Sequence, residues 1–349
     1  MVRFSDIIRI DSKSVSYRAP AEPALEGSRR RQGDLELKIS DQRSAPVDIH
    51  SFEKMSLDAG AIYENLVKKA YQVREKVFGD EAINPSPVFS DLKTLVERGL
   101  INSGYEYGVC SRGDYDPHLV HNVVVAFSSM KISQSLGYDP QRQLNLGLCA
   151  LLENVGMYKI PENILKKTEN LEDSEKAIIM EHPETSARIL SRMGEEYRWL
   201  ADVALQVHER ADGSGYPRGL EGPQISEFAS IIGLADIYMA LIRKRPNRDK
   251  LIEVEAVKFI LKEAKGLFPH RILKAFFNEI SLFPVNTYVR LNNKSIGRTI
   301  STVRNQPLRP LVQIIYDGLG NKIEKKEVVR LSENPLLYVT DYLKENEFP

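Results

Sequence analysis

The chain lacks a net charge and a long apolar run. Its 349 residues contain 48 Lys plus Arg and 48 Asp plus Glu, so no global field attracts nucleic acid or an anionic membrane. No apolar run approaches the length of a membrane span, and the N-terminus carries no continuous apolar signal-peptide core. We therefore expect a cytoplasmic protein without a membrane span that does not bind nucleic acid.

Cysteine is scarce, and neither a repeat nor a low-complexity stretch is evident. Cys110 and Cys149 lie in or near apolar sequence and show no paired spacing. This pattern excludes a disulfide framework and predicts reduced thiols in a core. The length and apolar content suffice for two or three domains with at least one sizeable core.

The composition changes along the chain and predicts four regions. Residues 1–33 carry scattered charge, Pro20, Pro23 and a short arginine run, which is typical of a flexible tail. Residues 34–112 predict a mostly helical region that begins with a short strand around Leu35–Ile39. Residues 113–283 predict a purely helical domain. Residues 284–349 are rich in β-branched side chains and predict a small β module.

Apolar spacing predicts the individual elements and a mainly α fold. The predicted helices are Ala59–Val77, Val88–Leu100, His118–Leu136, Gln141–Asn154, Ser174–Met193, Tyr197–Glu209, Ile225–Arg243, Glu253–Lys265 and Arg271–Ile280. The predicted strands are Thr287–Leu291, Ser295–Val303, Leu311–Tyr316 and Lys326–Leu331.

Histidines and one aspartate in the helical domain are candidate metal ligands. His121 and His182 adjoin apolar helical residues, and His208 precedes a glycine-rich turn, while Asp236 lies inside an otherwise apolar helix. A buried carboxylate is costly without a cation or several hydrogen bonds. Neutral imidazoles and this carboxylate would suit zinc, iron or manganese. The alternative is that each is a satisfied core group and that Asp236 braces a neighbouring backbone.

In the segment from His208 to Leu220, Gly213 and Gly215 allow the backbone to approach a ligand closely, and Pro217 fixes the chain just after them. Further along, Arg243, Lys244, Arg245 and Arg248 form a cationic cluster. Guanidinium groups bind phosphate oxygens in a fork. Cations at the end of a solvated helix, where they complement its dipole, are the alternative explanation.

These motifs together resemble the HD-GYP family, a branch of the HD-domain metal-dependent phosphohydrolases that hydrolyse cyclic di-GMP. The resemblance covers residues 113–282 and does not include the β module. It is carried, in the family's order, by Ile160–Pro161, Glu181–Pro183, the turn after His208 and Leu234–Asp236. The resemblance implies a helical HD-domain bundle and a role in bacterial signalling.

The resemblance also assigns roles to single residues. It implies that His121, His182, His208 and Asp236 are metal ligands. Gly215, Tyr216 and Pro217 match the GYP turn. Arg245 and Arg248 match cations that face the dinucleotide phosphates. Three positions depart from the family: Glu153–Asn154 stands where the family has His–Asp, Met157 replaces a catalytic lysine, and Val207 replaces the first histidine of a pair.

The departures predict a degenerate centre with no confident catalytic residue. Asn154 is neutral and bridges cations poorly, and Met157 cannot carry positive charge. Glu153 can ligate where a histidine did, so a residual transition metal (Fe, Mn or Zn) and no metal at all both remain open. We expect a non-catalytic cyclic di-GMP receptor or interaction module with a protein partner. The alternatives are a phosphodiesterase with an altered metal centre and a scaffold that binds no nucleotide.

Overall fold

The computed structural model describes residues 49–111, 115–243, 251–303 and 306–343, without the side chains of 49–56 and 325–326. The described part is mainly helical, as the sequence predicts. The helices are α1 (Ile49–Phe78), α2 (Ser86–Glu97), α3 (Ile101–Cys110), α4 (Pro117–Ser135), α5 (Pro140–Leu152), α6 (Glu162–Leu165), α7 (Asp173–Met180), α8 (His182–Leu190), α9 (Arg198–Ala204), α10 (Glu227–Ile242), α11 (Glu253–Glu263) and α12 (His270–Glu279). Short 3-10 turns span Val155–Lys159, Ser191–Met193, Glu195–Tyr197 and Gly222–Gln224.

Two helices that carry candidate ligands are buried on every side. In α4 nearly every residue from Leu119 to Ser133 is buried, and in α10 the same holds from Ala229 to Ile242. A helix that is apolar all round belongs in the centre of a bundle. Helix α4 packs against α3, α5, α10 and α12. Its start is fixed locally, since the Asp116 carboxylate accepts a hydrogen bond from the His118 N–H and Pro117 follows the cap.

One hydrophobic core extends from α1 to α12. It includes Tyr63 and Leu66 of α1, Phe127 of α4 and Phe276 of α12. Because α1–α3 contribute to the same core as the predicted helical domain, the described part of the N-terminal region packs as a layer on the bundle. None of the described helices has both the length and the apolar content to cross a membrane.

The C-terminal module is a five-stranded antiparallel sheet of β1 (Tyr288–Leu291), β2 (Ile296–Ser301), β3 (Leu311–Tyr316), β4 (Lys322–Arg330) and β5 (Val339–Leu343). Its order is β4-β3-β2-β1-β5. Four strands were predicted; β5 was not, because Thr340 and Asp341 interrupt its apolar pattern. A small second core includes Val289, Val312 and also Val254 from α11, so the module packs directly on the helical bundle.

Several sequence predictions are corrected by the structure. The predicted helix Ser174–Met193 is broken into α7 and α8 at His182–Pro183, because proline lacks the N–H that would continue α7. The predicted helix Tyr197–Glu209 ends at Ala204. Helix α3 was not predicted as a separate element. Of the two free thiols, Cys149 is buried as expected, but Cys110 is exposed at the end of α3. The predicted tail 1–33 and the strand around Leu35–Ile39 lie outside the described residues.

Candidate metal centre and glycine-rich turn

Side chains from five separate elements meet in the interior of the bundle. His121 lies on α4, Glu153 follows the last residue of α5, and Asp236 lies on α10. His182 is the first residue of α8, and His208 lies in the turn after α9. All are buried except the His121 side chain, which is 13% exposed. These are the five residues that the sequence analysis predicted as candidate metal ligands.

The distances join these side chains into one cluster. His121 Nε2 lies 2.7 Å from Asp236 Oδ1, and His182 Nε2 lies 2.9 Å from His208 Nε2. One ligand atom each of Glu153, His182 and His208 falls within 4.8 Å of the other two. The cluster therefore combines imidazole nitrogens with carboxylate oxygens over a few ångströms.

A backbone contact fixes the proton on His182. Its Nδ1 lies 2.6 Å from the carbonyl oxygen of Ile179. A carbonyl only accepts hydrogen bonds, so Nδ1 carries the proton and Nε2 presents a lone pair towards His208. Metal-binding histidines commonly have this arrangement, with one nitrogen anchored to a carbonyl and the other free to ligate.

Asp236 connects the two halves of the cluster electrostatically. Burial raises the pKa of Glu153 well above its usual value, and the negative charge of Asp236 raises it further. Burial lowers the pKa of His182, while the Ile179 carbonyl and Asp236 oppose that shift. Two carboxyl groups thus share a desolvated site, and a cation there would favour the ionised state of both.

The donor set fits a metal ion. Imidazole nitrogen and carboxylate oxygen suit zinc, iron and manganese. Bonds of about 2.1 Å from a metal to nitrogen place neighbouring ligand atoms roughly 3 Å apart, and both short distances in the cluster are close to that value. His121, Glu153, His182, His208 and Asp236 are the residues that would hold the ion.

Two glycines permit the elements around the cluster to pack closely. A Cβ on Gly156 would lie 2.2 Å from the carbonyl oxygen of His182, so any side chain there would displace the start of α8. A Cβ on Gly233 would lie 2.3 Å from the carbonyl oxygen of Val207, next to His208. Close backbone contact at these positions places His182 and His208 beside their neighbouring elements.

The turn after His208 is organised by a buried carboxylate. The two oxygens of Glu209 accept hydrogen bonds from the N–H groups of Arg218 and Leu220, at 2.7 and 2.9 Å. Tyr216 stacks on the His208 ring with centroids 5.0 Å apart and an interplanar angle of 6°. A Cβ on Gly215 would lie 2.4 Å from the backbone nitrogen of Arg210. The turn thus folds back onto the residues that precede it.

Arg210 is a buried cation beside the same turn. One guanidinium nitrogen donates to the carbonyl oxygens of Val207 and Glu209 at 3.0 and 2.7 Å. The group also lies over the Phe268 ring, 5.0 Å from its centroid. These contacts give a hydrogen-bond donor to two carbonyls of the segment that follows α9.

The three positions at which the resemblance predicts a departure from the family pattern lie around the cluster. Asn154 is buried, and its Nδ2 donates a 2.6 Å hydrogen bond to Glu153 Oε1. Val207 is completely buried and offers no donor atom from its side chain. Met157 lies half-buried in the 3-10 turn that follows Asn154.

Sequence reasoning did not assign roles to Glu209, Arg210, Gly156 and Gly233. The sequence did contain a signal for Glu209 and Arg210, because both are charged and directly precede a glycine-rich turn. The backbone N–H and C=O groups of such a turn need hydrogen-bond partners when they are buried. Arg245 and Arg248 lie outside the described residues, and their assignment to phosphate remains a prediction from sequence.

Two parts of the chain match known family models. Residues 114–269 match the family model described as "HD domain", and residues 288–349 match a "KOW domain associated with HD domain". The second match covers the β module, which its sequence pattern alone did not relate to a family. A solved structure described as a "HDG"Y"P protein", Bd1817 from Bdellovibrio bacteriovorus, is 18% identical, covers 64% of this chain and 71% of its own, and superposes with a TM-score of 0.49.

Two curated relatives carry the name cyclic di-GMP phosphodiesterase. PdeB of Borreliella burgdorferi is 30% identical over 76% of this chain and 76% of its own length. PA4108 of Pseudomonas aeruginosa is 29% identical over 61% of this chain, and the match spans only 51% of that relative. The chain therefore belongs to the HD-GYP family of HD-domain proteins.

Proposed function

We propose that this protein binds cyclic di-GMP as a receptor or interaction module in bacterial signalling and does not hydrolyse it efficiently. The observation that carries the proposal is a contrast within one site. The turn from Glu209 to Leu220 is held by two hydrogen bonds to the Glu209 carboxylate and by the stacking of Tyr216 on His208. At Asn154, Met157 and Val207 the side chains are uncharged. The names of the relatives support cyclic di-GMP as the ligand.

The uncharged positions weaken hydrolysis for separate reasons. A bound divalent metal would supply positive charge that polarises phosphate oxygens. Asn154 presents a neutral amide, and that amide is engaged with Glu153. Met157 cannot stabilise negative charge on a phosphate in the transition state. Loss of one such stabilising group typically lowers the rate about 10²–10³-fold, so the combined losses favour binding over turnover.

The proposal is tested by calorimetric titration of the full chain with cyclic di-GMP, alongside chromatography for the linear product. We expect saturable heat and no product above the background rate. Arg245→Ala should weaken binding about tenfold or more, since a hydrogen bond to a charged group contributes about 1.5–3 kcal/mol. Arg198→Ala is the matched control, because the Arg198 side chain is 69% exposed on α9 and should leave binding unchanged.

The outcomes separate the candidate functions. Absence of heat and of a thermal shift at high nucleotide concentration would remove the receptor and favour a scaffold that binds no nucleotide. Saturable binding that Arg245→Ala leaves unchanged would contradict the role given to that arginine. A protein partner, which we also propose, would be sought by comparing co-purified proteins with and without the nucleotide.

A second candidate is a metal-dependent phosphodiesterase with an altered centre. It is favoured by the position of Glu153, whose carboxylate lies with His182 and His208 within 4.8 Å. The test is turnover of cyclic di-GMP by protein loaded with iron or manganese. Robust formation of the linear product by the natural chain, abolished by Glu153→Gln, would establish this candidate and overturn the first.

A further inference from the structure

One end of the β module exposes large apolar side chains. Leu319, in the turn between β3 and β4, is 89% exposed, and Leu336 and Tyr338, in the connection to β5, are 85% and 51% exposed. Single exposed apolar residues are ordinary, whereas a group of them marks a contact surface. We call this end of the module, which comprises residues 292–295, 317–322 and 336–338, the tip.

Asn292, in the turn between β1 and β2, joins the segments of the tip. Its N–H donates to the Tyr338 carbonyl oxygen, and its Nδ2 donates to the Leu336 carbonyl oxygen at 2.9 Å. Its Oδ1 accepts a hydrogen bond from the Tyr338 N–H at 3.2 Å. The next residue, Asn293, packs on the turn between β3 and β4, because a Cβ on Gly318 would lie 2.4 Å from the Asn293 carbonyl oxygen. The exposed apolar side chains therefore stand on one connected backbone surface.

The exposed charges of the tip are positive. Lys294 and Lys322 are both exposed. The three segments contain a single carboxylate, Asp317, and it faces its own turn, where Oδ1 accepts hydrogen bonds from the N–H groups of Leu319 and Asn321. The outer surface of the tip thus combines cations with apolar side chains.

Lys294 occupies a backbone conformation that suits other residues better. Its φ is 71°, which lies in the left-handed region that glycine and asparagine adopt more readily than lysine. The turn itself does not require a lysine there, since asparagine or glycine would form it with less strain. This position therefore points to a use for the lysine charge.

The tip points away from the helical bundle. The module contacts the bundle at the other ends of its strands. Thr302, which follows β2, donates to Glu106 of α3 at 3.2 Å, and Tyr342, near the end of β5, donates to Glu255 of α11 at 3.3 Å. Within the described part of the chain, the bundle therefore leaves the tip open to solvent.

We propose that the tip docks on the surface of an anionic phospholipid membrane. Leu319 and Leu336 project from the protein rather than line a groove, because more than four-fifths of each residue is exposed. Projecting apolar side chains can enter the boundary between headgroups and acyl chains, and neighbouring lysines attract anionic headgroups. Tyr338 suits the same boundary, because tyrosine joins an apolar ring to a polar hydroxyl.

Two other occupants fit the tip less well. The bases of single-stranded nucleic acids stack on planar side chains, and leucine offers no planar face. A symmetric contact between the tips of two copies would bring the same cations, Lys294 and Lys322, together on both sides, and like charges repel. A negatively charged lipid surface satisfies both the cations and the apolar side chains.

The test is co-sedimentation of the full chain with lipid vesicles. Vesicles of phosphatidylglycerol and phosphatidylcholine in equal amounts are compared with vesicles of phosphatidylcholine alone. We expect weak, reversible binding to the anionic vesicles, weaker binding to the neutral ones, and a decrease at high salt. Leu319→Ser and Leu336→Ser should each weaken binding about tenfold or more, because each removes an apolar side chain that leaves water on docking.

Lys294→Asn separates a role in binding from a structural role. Asparagine adopts the left-handed conformation more readily, so this variant should melt at or above the temperature of the natural protein. Its binding to the anionic vesicles should nevertheless fall about fivefold, which is the effect of one lysine near an anionic surface. Unchanged binding by the folded variant would contradict the proposal.

Leu308→Ser is the matched control. Leu308 belongs to the same module and is 55% exposed, but it lies in the loop between β2 and β3, at the opposite end of these strands from the tip. This variant should bind as the natural protein does, and melting of every variant shows whether it is folded.

Several results would overturn the proposal. They are absence of binding to anionic vesicles at high lipid concentration, full binding by folded Leu319→Ser and Leu336→Ser, and an equal loss of binding in Leu308→Ser. A dimer in light scattering that Leu336→Ser dissociates would assign the tip to a second copy and would also overturn it. Because the vesicles contain no nucleotide, the result is independent of the proposed function.

Discussion

Gly156→Ala is the sharpest test of how the site is built. The added Cβ would lie 2.2 Å from the His182 carbonyl oxygen and 2.7 Å from the Ser186 nitrogen. Ordinary contact begins near 3.4 Å, so helix α8 must move by roughly 1 Å, as expected when a packed interior is overfilled. His182 begins that helix, so the substitution displaces a candidate ligand while leaving its chemistry unchanged.

The expected cost follows from these contacts. Overfilling a packed interior costs about 1–3 kcal/mol. The hydrogen bond from the Gly156 N–H to Ser186 Oγ, 2.8 Å long, contributes about 1 kcal/mol more if it is lost. At about 2–4 °C per kcal/mol, the melting temperature should fall by about 4–16 °C. The bound metal should fall in parallel, because His182 no longer meets His208.

Differential scanning calorimetry and metal analysis measure both effects. Gly79→Ala is the matched control, because its added Cβ would meet mainly the flexible Glu81 side chain at 3.2 Å. It should change stability by less than about 0.5 kcal/mol. If Gly156→Ala has the melting temperature of the natural protein and binds as much metal, the close approach of the 3-10 turn to α8 does not determine the position of His182.

Three further substitutions test separate parts of the structure. Glu209→Gln replaces one accepting oxygen by an NH2 group that faces the N–H of Arg218 or Leu220, and it should lower the free energy of unfolding by about 1–3 kcal/mol. Unchanged protection of the turn's amides in hydrogen exchange would show that the Glu209 carboxylate does not hold the turn. Arg210→Met leaves two buried carbonyls without this donor and should cost about 2–4 kcal/mol in urea unfolding; Arg210→Lys should recover part of that loss, and equal losses would argue against the donor role. Gly297→Ala places a Cβ 2.5 Å from Val312 in the sheet, which should cost about 1–3 kcal/mol; metal content should stay unchanged, and a parallel loss of metal would mean that the module supports the site.

Local sequence determined much of the helical framework. The helices predicted to begin at His118 and Gln141 begin at Pro117 and Pro140 in the structure, where Asp116 and Asp139 each accept a capping N–H. The apolar runs of α4 and α10 predict buried helices, and the β-branched residues after Pro284 predict the module. These features follow from the sequence because capping, helix propensity and turn formation act between residues a few positions apart.

The sequence also predicted the metal ligands, but only tertiary packing brings them together. His121 and Asp236, 115 residues apart, meet because α4 and α10 are both buried in one core. The break at Pro183 follows a local rule, yet its consequence, the placement of His182 against His208, depends on backbone contacts at Gly156 and Gly233. The clustering of buried charge at Glu153, Glu209 and Arg210 likewise arises from long-range packing, because desolvation depends on neighbours that are distant in the chain.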